Sequence, residues 1–136
     1  MADISITAAN VLTGSNSARE TGIAGATVTA GQVVYKEAAT GQFKLADCNS
    51  ATAEARVPYG VALHGSLNGQ PLTVQTAGTI TPGATLVAGV VYYLSGTAGG
   101  IRPVADNTTG DFPATVGMAI STTQMTLSFV ASPVAL

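Results

Sequence analysis

The chain has 136 residues, 46% of them apolar and only 9% charged, with a net charge of -2 at pH 7. This length suits one domain that buries roughly two-thirds of its unfolded surface, and the charge content lies far below the roughly 25% of an ordinary soluble domain. The five basic residues, Arg19, Lys36, Lys44, Arg56 and Arg102, are scattered, which excludes the clustered cations that nucleic acid demands, and the single cysteine, Cys48, excludes an intrachain disulfide.

The N-terminal stretch Ala2-Asp3-Ile4-Ser5-Ile6-Thr7 carries an acid where a secretory leader needs positive charge, and it has no continuous apolar run. Synthesis and folding in a reducing cytoplasm are therefore expected. Ile4 to Thr7 alternates as a strand does, and Thr13-Gly14-Ser15-Asn16-Ser17 reads as a loop. Residues 1–24 are expected to be an added strand, or an arm that orders only on assembly against a neighbour.

From Gly25 onward an internal repeat organises the chain. Sliding the sequence by 58 residues lays Gly25-Ala26-Thr27-Val28-Thr29-Ala30-Gly31-Gln32-Val33-Val34-Tyr35 on Gly83-Ala84-Thr85-Leu86-Val87-Ala88-Gly89-Val90-Val91-Tyr92-Tyr93, with seven of 11 positions identical. Such self-similarity marks repeated supersecondary units. Gly41-Gln42-Phe43-Lys44 then matches Gly99-Gly100-Ile101-Arg102, Gly60-Val61-Ala62-Leu63 matches Gly117-Met118-Ala119-Ile120, and Leu72-Thr73-Val74 matches Met125-Thr126-Leu127. β-Branched and aromatic runs predict strands at 32–37, 42–46, 57–63 and 72–75 in the first copy and at 90–94, 101–104, 114–120 and 125–130 in the second. Thr40-Gly41 and Ala98-Gly99-Gly100 are the expected hairpin tips, where glycine accepts a positive φ. Only 50–56 has helix formers behind a capping residue, Asn49 or Ser50, enough for one or two turns. The fold class is all-β: two tandem pseudo-symmetric repeats, about 25–78 and 83–130, sharing one domain over 25–136, because a unit of some 50 residues covers its own apolar face poorly. Residues 57–101 carry no formal charge, yet Pro58, Gly60, Gly65, Gly69, Pro71, Gly78, Pro82 and Gly83 interrupt them, so no membrane-spanning helix is predicted.

The residues that carry chemistry are few. The acids Asp3, Glu20, Glu37, Asp47, Glu54, Asp106 and Asp111 fall mostly at turns, where solvation explains them. Cys48 and His64 form the only available thiol–imidazole pair, but Asp47-Cys48-Asn49-Ser50 has no nucleophile signature and places no basic residue beside the thiol. Two such residues are too few for structural zinc. The loop from Asp106 to Asp111 lacks the spacing of a calcium motif. Asn107-Thr108-Thr109 matches a glycosylation acceptor, which matters only on a secreted chain. Tyr59, Tyr92 and Tyr93 suggest a sugar platform, but adjacent residues on a strand point to opposite faces. No enzyme activity, catalytic residue, metal or cofactor is assigned. The last 25 residues, 112–136, hold no formal charge, and the second repeat with the C-terminal tail is expected to lie largely against sister subunits or another partner surface, whereas Lys36, Glu37, Lys44 and Asp47 should mark the more solvated end.

The segments Ala2 to Ala8, Gly25 to Tyr35, Tyr59-Gly60-Val61-Ala62-Leu63-His64-Gly65 with Gly69-Gln70-Pro71-Leu72, and Gly99-Gly100-Ile101-Arg102-Pro103 resemble small tailed-phage structural proteins of the head-decoration type. The resemblance runs over nearly the whole chain, which departs from the best-known members in lacking a Pro-rich N-terminal arm. It implies a β-clip-like ribbon or small barrel that joins the capsid exterior as a homotrimer at local threefold positions. The implied partners are the major capsid protein and other copies of the chain, and the location is the virion. The alternative is a receptor- or carbohydrate-binding module of a tail fibre or tailspike, which also uses Thr- and Gly-rich β repeats.

Overall fold

Each of the eight runs predicted from residue 32 onward contains a strand in the computed structural model, which describes residues 3–136. Met1 and Ala2, at the start of the extension assigned to 1–24, lie outside the described residues. The strands are β1 (Val11–Thr13), β2 (Ala18–Ile23), β3 (Val33–Lys36), β4 (Phe43–Leu45), β5 (Gly60–Ala62), β6 (Pro71–Pro82), β7 (Val91–Leu94), β8 (Ile101–Pro103), β9 (Ala114–Ala119) and β10 (Met125–Ala131). Three short 3-10 turns, Ala8–Asn10, Ala53–Arg56 and Val104–Asp106, complete the elements. The chain is all-β, and its antiparallel sheet curls into a half-barrel in the order β4, β3, β5, β6, β10, β9, β7, β8, with β1 and β2 also on β6.

The repeat is visible in the register. Val33 faces Val61 and Val34 faces Gly60, as Val91 faces Met118 and Tyr92 faces Gly117. Val34, Tyr35 and Lys36 face Leu45, Lys44 and Phe43, as Tyr92, Tyr93 and Leu94 face Pro103, Arg102 and Ile101. Loop bonds recur as well: Gly31 N donates to Ala62 O and Gly89 N to Ala119 O, both at 2.8 Å. Gly31 and Gly89 share a left-handed backbone (φ 89° and 85°), as do the hairpin glycines Gly41 and Gly99 (72° and 78°). One pairing slips. Met118 faces Thr126 where the repeat would place Ser128, and a two-residue slide keeps the same side chains on the same face.

The repeating unit is wider than 25–78 and 83–130. β2 lies on residues 76–81 under the same 58-residue shift, and its pairings match: Gly22 faces Leu72 and Glu20 faces Val74, as Ile80 faces Met125 and Gly78 faces Leu127. The first half of β6 therefore ends one five-stranded unit and its second half begins the next. We call these units one and two. The boundary placed at Gly25 missed β2 because Ala18-Arg19-Glu20-Thr21-Gly22-Ile23 has neither apolar alternation nor a β-branched run, and pairing alone holds it.

β6 runs for 12 residues where a short strand at 72–75 was expected, because it continues through a bend. The register against β2 shifts between Gln75 and Ala77, and Gly78 turns with φ 89°. The fully buried Gln75 side chain spans the bend, its Nε2 donating to Ala77 O at 3.0 Å and Thr79 O at 2.8 Å. Ala77 O thus has a side-chain donor at the bend, and Thr79 O, which also accepts from Gly14 N at 2.7 Å, has a second donor.

The N-terminal segment differs from expectation. Ile4 to Thr7 forms no strand, yet Ile4 N donates to Ile101 O at 2.9 Å and Thr7 N to Gly83 O at 2.8 Å. Ile4 covers the open edge of β8 as Gly25 covers that of β4, where its N donates to Phe43 O at 2.7 Å. β1 and β2 both pair with β6, so the described part of this segment lies on the chain's own sheet as added strands.

Two apolar clusters fill the fold. Ala24, Val28, Val34, Phe43, Ala62, Leu72 and Val74 pack within unit one. Val33, Tyr35, Ala46 and Val61, on its other face, join Leu86, Tyr92, Leu94, Ile101, Val116, Ala119, Met125 and Leu127 of unit two.

Gly60 and Gly117 hold corresponding places where a Cβ would strike the neighbouring strand, at 2.9 Å from Gln75 O and 2.3 Å from Thr126 O. Gly41, by contrast, has nothing within 4 Å of a built Cβ. Gly117→Ala is expected to lower stability by about 3 kcal/mol through overpacking, and Gly41→Ala by only about 1 kcal/mol through its positive φ. Urea unfolding midpoints check the difference, and equal losses at the two sites would contradict it.

Candidate functional site

Among the described residues one ion pair is buried, and it lies where unit two meets Cys48 of unit one. Arg102, on β8, and Asp111, in the loop before β9, are 8% and 5% exposed. Arg102 Nη2 donates to Asp111 Oδ2 and, at 3.3 Å, to Cys48 Sγ, while its Nε donates to Asn107 Oδ1 at 3.3 Å. Thr108 supplies two further donors to the same carboxylate oxygen, its N at 3.1 Å and its Oγ1 at 2.8 Å. Burial pushes the Asp111 carboxyl up, but the Thr108 and Arg102 hydrogen bonds outweigh it and hold the group below its ordinary value of 3.8. Cys48 N donates to Ser95 O at 3.2 Å and Phe112 N to Cys48 O at 3.0 Å, so the thiol sits in a seam stitched from both units.

Two sequence expectations fail here. Asp111 is a buried partner rather than a solvated turn residue, and Cys48 does have a basic neighbour, brought from 54 positions away by the β7–β8 hairpin. That neighbour does not activate it. Burial pushes the Cys48 thiol up to about 11 despite the opposing pull of Arg102. With that value only about one thiol in 10,000 is ionised at pH 7.

The other candidates do not converge. His64 is exposed; its Nδ1 donates to Gly65 O at 2.8 Å and its Nε2 accepts from Thr73 N at 3.0 Å, so both ring nitrogens are occupied and neither meets Cys48. Glu20 accepts from Lys36 Nζ at 2.7 Å and Tyr59 OH at 2.5 Å, and these bonds hold its carboxyl below the usual range. Glu37 accepts from Lys44 Nζ and Thr40 Oγ1, both at 2.7 Å, with the same result. Glu54 accepts from Ala38 N at 3.0 Å and Asp47 from Asn49 N at 3.1 Å, ordinary loop roles. The carboxylate of Asp3 accepts from Ser95 Oγ at 2.7 Å, and Asp106 lies in the third 3-10 turn. Among the described residues no three His, Cys, Asp or Glu side chains gather as metal ligands. The tyrosines form no platform: Tyr92 is buried with its hydroxyl accepting from Val87 N at 3.0 Å, Tyr93 faces the other way, and Tyr59 stacks obliquely on Phe43 in unit one.

What remains is a surface. The ion pairs Lys36–Glu20 and Lys44–Glu37 lie on unit one. β7, β9 and β10 carry no formal charge, and their outer face bears Val91, Thr115, Met118, Thr126, Ser128 and Val130 around a shallow groove of about 350 Å³. Met118 is 47% and Val130 65% exposed. Part of the second repeat and tail, expected to lie largely against a partner, is instead buried within the chain itself. Ala114, Val116, Ala119, Met125 and Leu127 enter the chain's own core, and the C-terminus folds back, with Leu136 N donating to Asp111 O at 2.8 Å. Met118, Ile120, Thr126, Ser128 and Val130 stay exposed, as do the last four residues, 133–136. No family model and no curated protein matches this chain.

Asp111→Ala is expected to cost about 3–5 kcal/mol by leaving the Arg102 guanidinium buried without its anion, while Arg102→Met with Asp111→Leu recovers most of the loss. Because the folded Asp111 pKa is depressed, its contribution is present above 3.8 and disappears as pH falls through the folded value. Acid titration of the unfolding midpoint should therefore fall more steeply in the natural chain than in the double variant. Cys48 is expected to resist thiol reagents at pH 7 until urea unfolds the protein; labelling in the folded state would refute this burial argument.

Proposed function

We propose that this chain is a structural virion protein that binds the outer surface of a tailed-phage capsid and holds neighbouring major-capsid subunits together. It works through contact area and performs no reaction. The observation that carries this reading is the partition of charge: surface ion pairs gather on unit one, while unit two presents a sheet face without charge. Permanent contacts are more apolar than transient ones. The resemblance of Gly25 to Tyr35 and Tyr59 to Gly65 to head-decoration proteins supplies the capsid as partner, with trimers of the chain made in the host cytoplasm and added to the virion exterior.

The second reading, a receptor- or carbohydrate-binding module of a tail fibre, draws on one feature. Ser5, Thr7, Asn10, Thr81, Thr85 and Thr123 line a hydroxyl-rich hollow of about 310 Å³ between the N-terminal segment and unit two. It has no aromatic wall for a sugar ring to stack on. Copy number decides between the two. Quantitative mass spectrometry of purified particles should find the chain in hundreds of copies, in fixed ratio to the major capsid protein; a few tens or fewer would favour the fibre.

A further inference from the structure

We propose that unit two contains a strand-accepting slot between Gly83 and β8, closed by residues 3–7 as a strap that opens while the rest of the chain stays folded. Its ligand is an extended peptide with an acid ahead of two apolar residues spaced by one. The inference goes beyond the reading above and does not depend on a capsid.

Comparing the two units locates the slot. In unit one Gly25 N donates directly to Phe43 O of β4, at 2.7 Å. The 58-residue shift carries these two residues onto Gly83 and Ile101 of unit two. There the bond is replaced: Ile101 O accepts from Ile4 N at 2.9 Å and Gly83 O from Thr7 N at 2.8 Å, so residues 4–7 bridge two places that meet directly in unit one. The edge of β8 thus receives an added segment, an arrangement that takes affinity from main-chain bonds and specificity from alternate side chains.

Three glycines shape the slot to its occupant. A Cβ on Gly31 would lie 2.6 Å from Ile6 Cγ2, one on Gly100 would lie 2.5 Å from Asp3 Oδ2, and one on Gly83 would strike Thr7 O. Only glycine admits another segment so closely. Unit one has Gln42 at the place of Gly100, and there the Gln42 side chain lies against Gly25 instead. Ile4 and Ile6 pack onto the core cluster while Ser5 and Thr7 are exposed, and the Asp3 carboxylate accepts from Ser95 Oγ at 2.7 Å. These contacts define the ligand pattern: an acid for Ser95, then two apolar side chains for the core.

The strap is lightly held. Among the described residues it is tied to the sheet by the backbone bonds of Ile4 and Thr7 and by the Asp3–Ser95 bond. Hollows of about 310 Å³ and 230 Å³ flank it, the first lined by Ser5 and Thr7 and the second by Ile4 and Ile6. β1, which follows, is held by its own pairing with β6 from Val11 to Thr13. Segments with few buried contacts open well before the whole chain unfolds.

Hydrogen exchange of the natural chain, corrected for intrinsic rates, should find the Ile4 and Thr7 amides at least a hundredfold less protected than amides of β5 and β6. Equal protection would show that the strap opens only with global unfolding and would overturn the inference. A full-length Ile4→Asp/Ile6→Asp variant expels the strap. It is expected to keep the natural circular dichroism and to bind a fluorescent peptide of residues 2–8 at least tenfold more tightly than the natural chain, whose own strap competes. The same peptide carrying Ile6→Asp should bind neither protein. A variant that unfolds would contradict independent opening, and a folded variant that takes up no peptide at about 1 mM, where even weak contacts form, would refute the slot. Particle copy number tests the capsid reading separately, so either proposal can fail while the other stands.

Discussion

A single strand holds this molecule together by belonging to both of its halves. β6 closes unit one with residues that pair with β2 and β5, then bends at Gly78 and opens unit two by pairing with β10 and β1. Its backbone donors and acceptors are satisfied only if both units are folded, since an unpaired buried peptide group costs as much as a lost hydrogen bond. At the bend the amide of Gln75 reaches along the strand to Ala77 O and adds a second donor to Thr79 O beside Gly14 N, although its own Oε1 has no partner among the described residues. Separating the units would expose the whole of this arrangement, so they are better regarded as one cooperative fold than as two small domains.

The two units share pairings but not environments. Lys44 and Arg102 occupy equivalent places, opposite Tyr35 and Tyr93. Lys44 reaches Glu37 in a partly solvated pair, whereas Arg102 is enclosed with Asp111 and Cys48. The exposed pair contributes little beyond local order. The enclosed one is sensitive to the loss of either partner, because the remaining charge would stay buried. Guanidinium suits the second place, since its several donors serve Asp111, Cys48 and Asn107 together.

The same inequivalence explains why one face is available for contact. Unit one is covered on both sides, by its own 24–28 segment on one and by unit two on the other. Unit two is covered on one side only. Among the described residues nothing packs on the outer face of β7, β9 and β10, and these strands carry no formal charge. The remaining edges are protected within the chain, Ile4 against β8 and Gly25 against β4, which limits unspecific pairing through exposed ladders.

Much of the fold was legible in the residues. Eight strands follow from β-branched runs between turn glycines, and Gly41 and Gly99 adopt the positive φ that their hairpins require. The 58-residue self-match foretold equivalent pairings, because identical turns and apolar positions favour identical ladders. β2 was not legible: it is polar, short and stabilised by backbone bonds to β6, which do not depend on side-chain type. The reach of β6 through Gly78 was hidden for a related reason, since glycine ordinarily signals a break and only the pairing on both sides carries the strand across it. The sequence by itself determined the all-β class, the duplication and the scarcity of charge, all of which depend on local pattern and composition. Only the tertiary structure decided which copy of each repeated face is buried, and that Arg102 meets Cys48 and Asp111. Those outcomes depend on how two nearly equivalent sheets pack, and a periodic sequence states both faces alike.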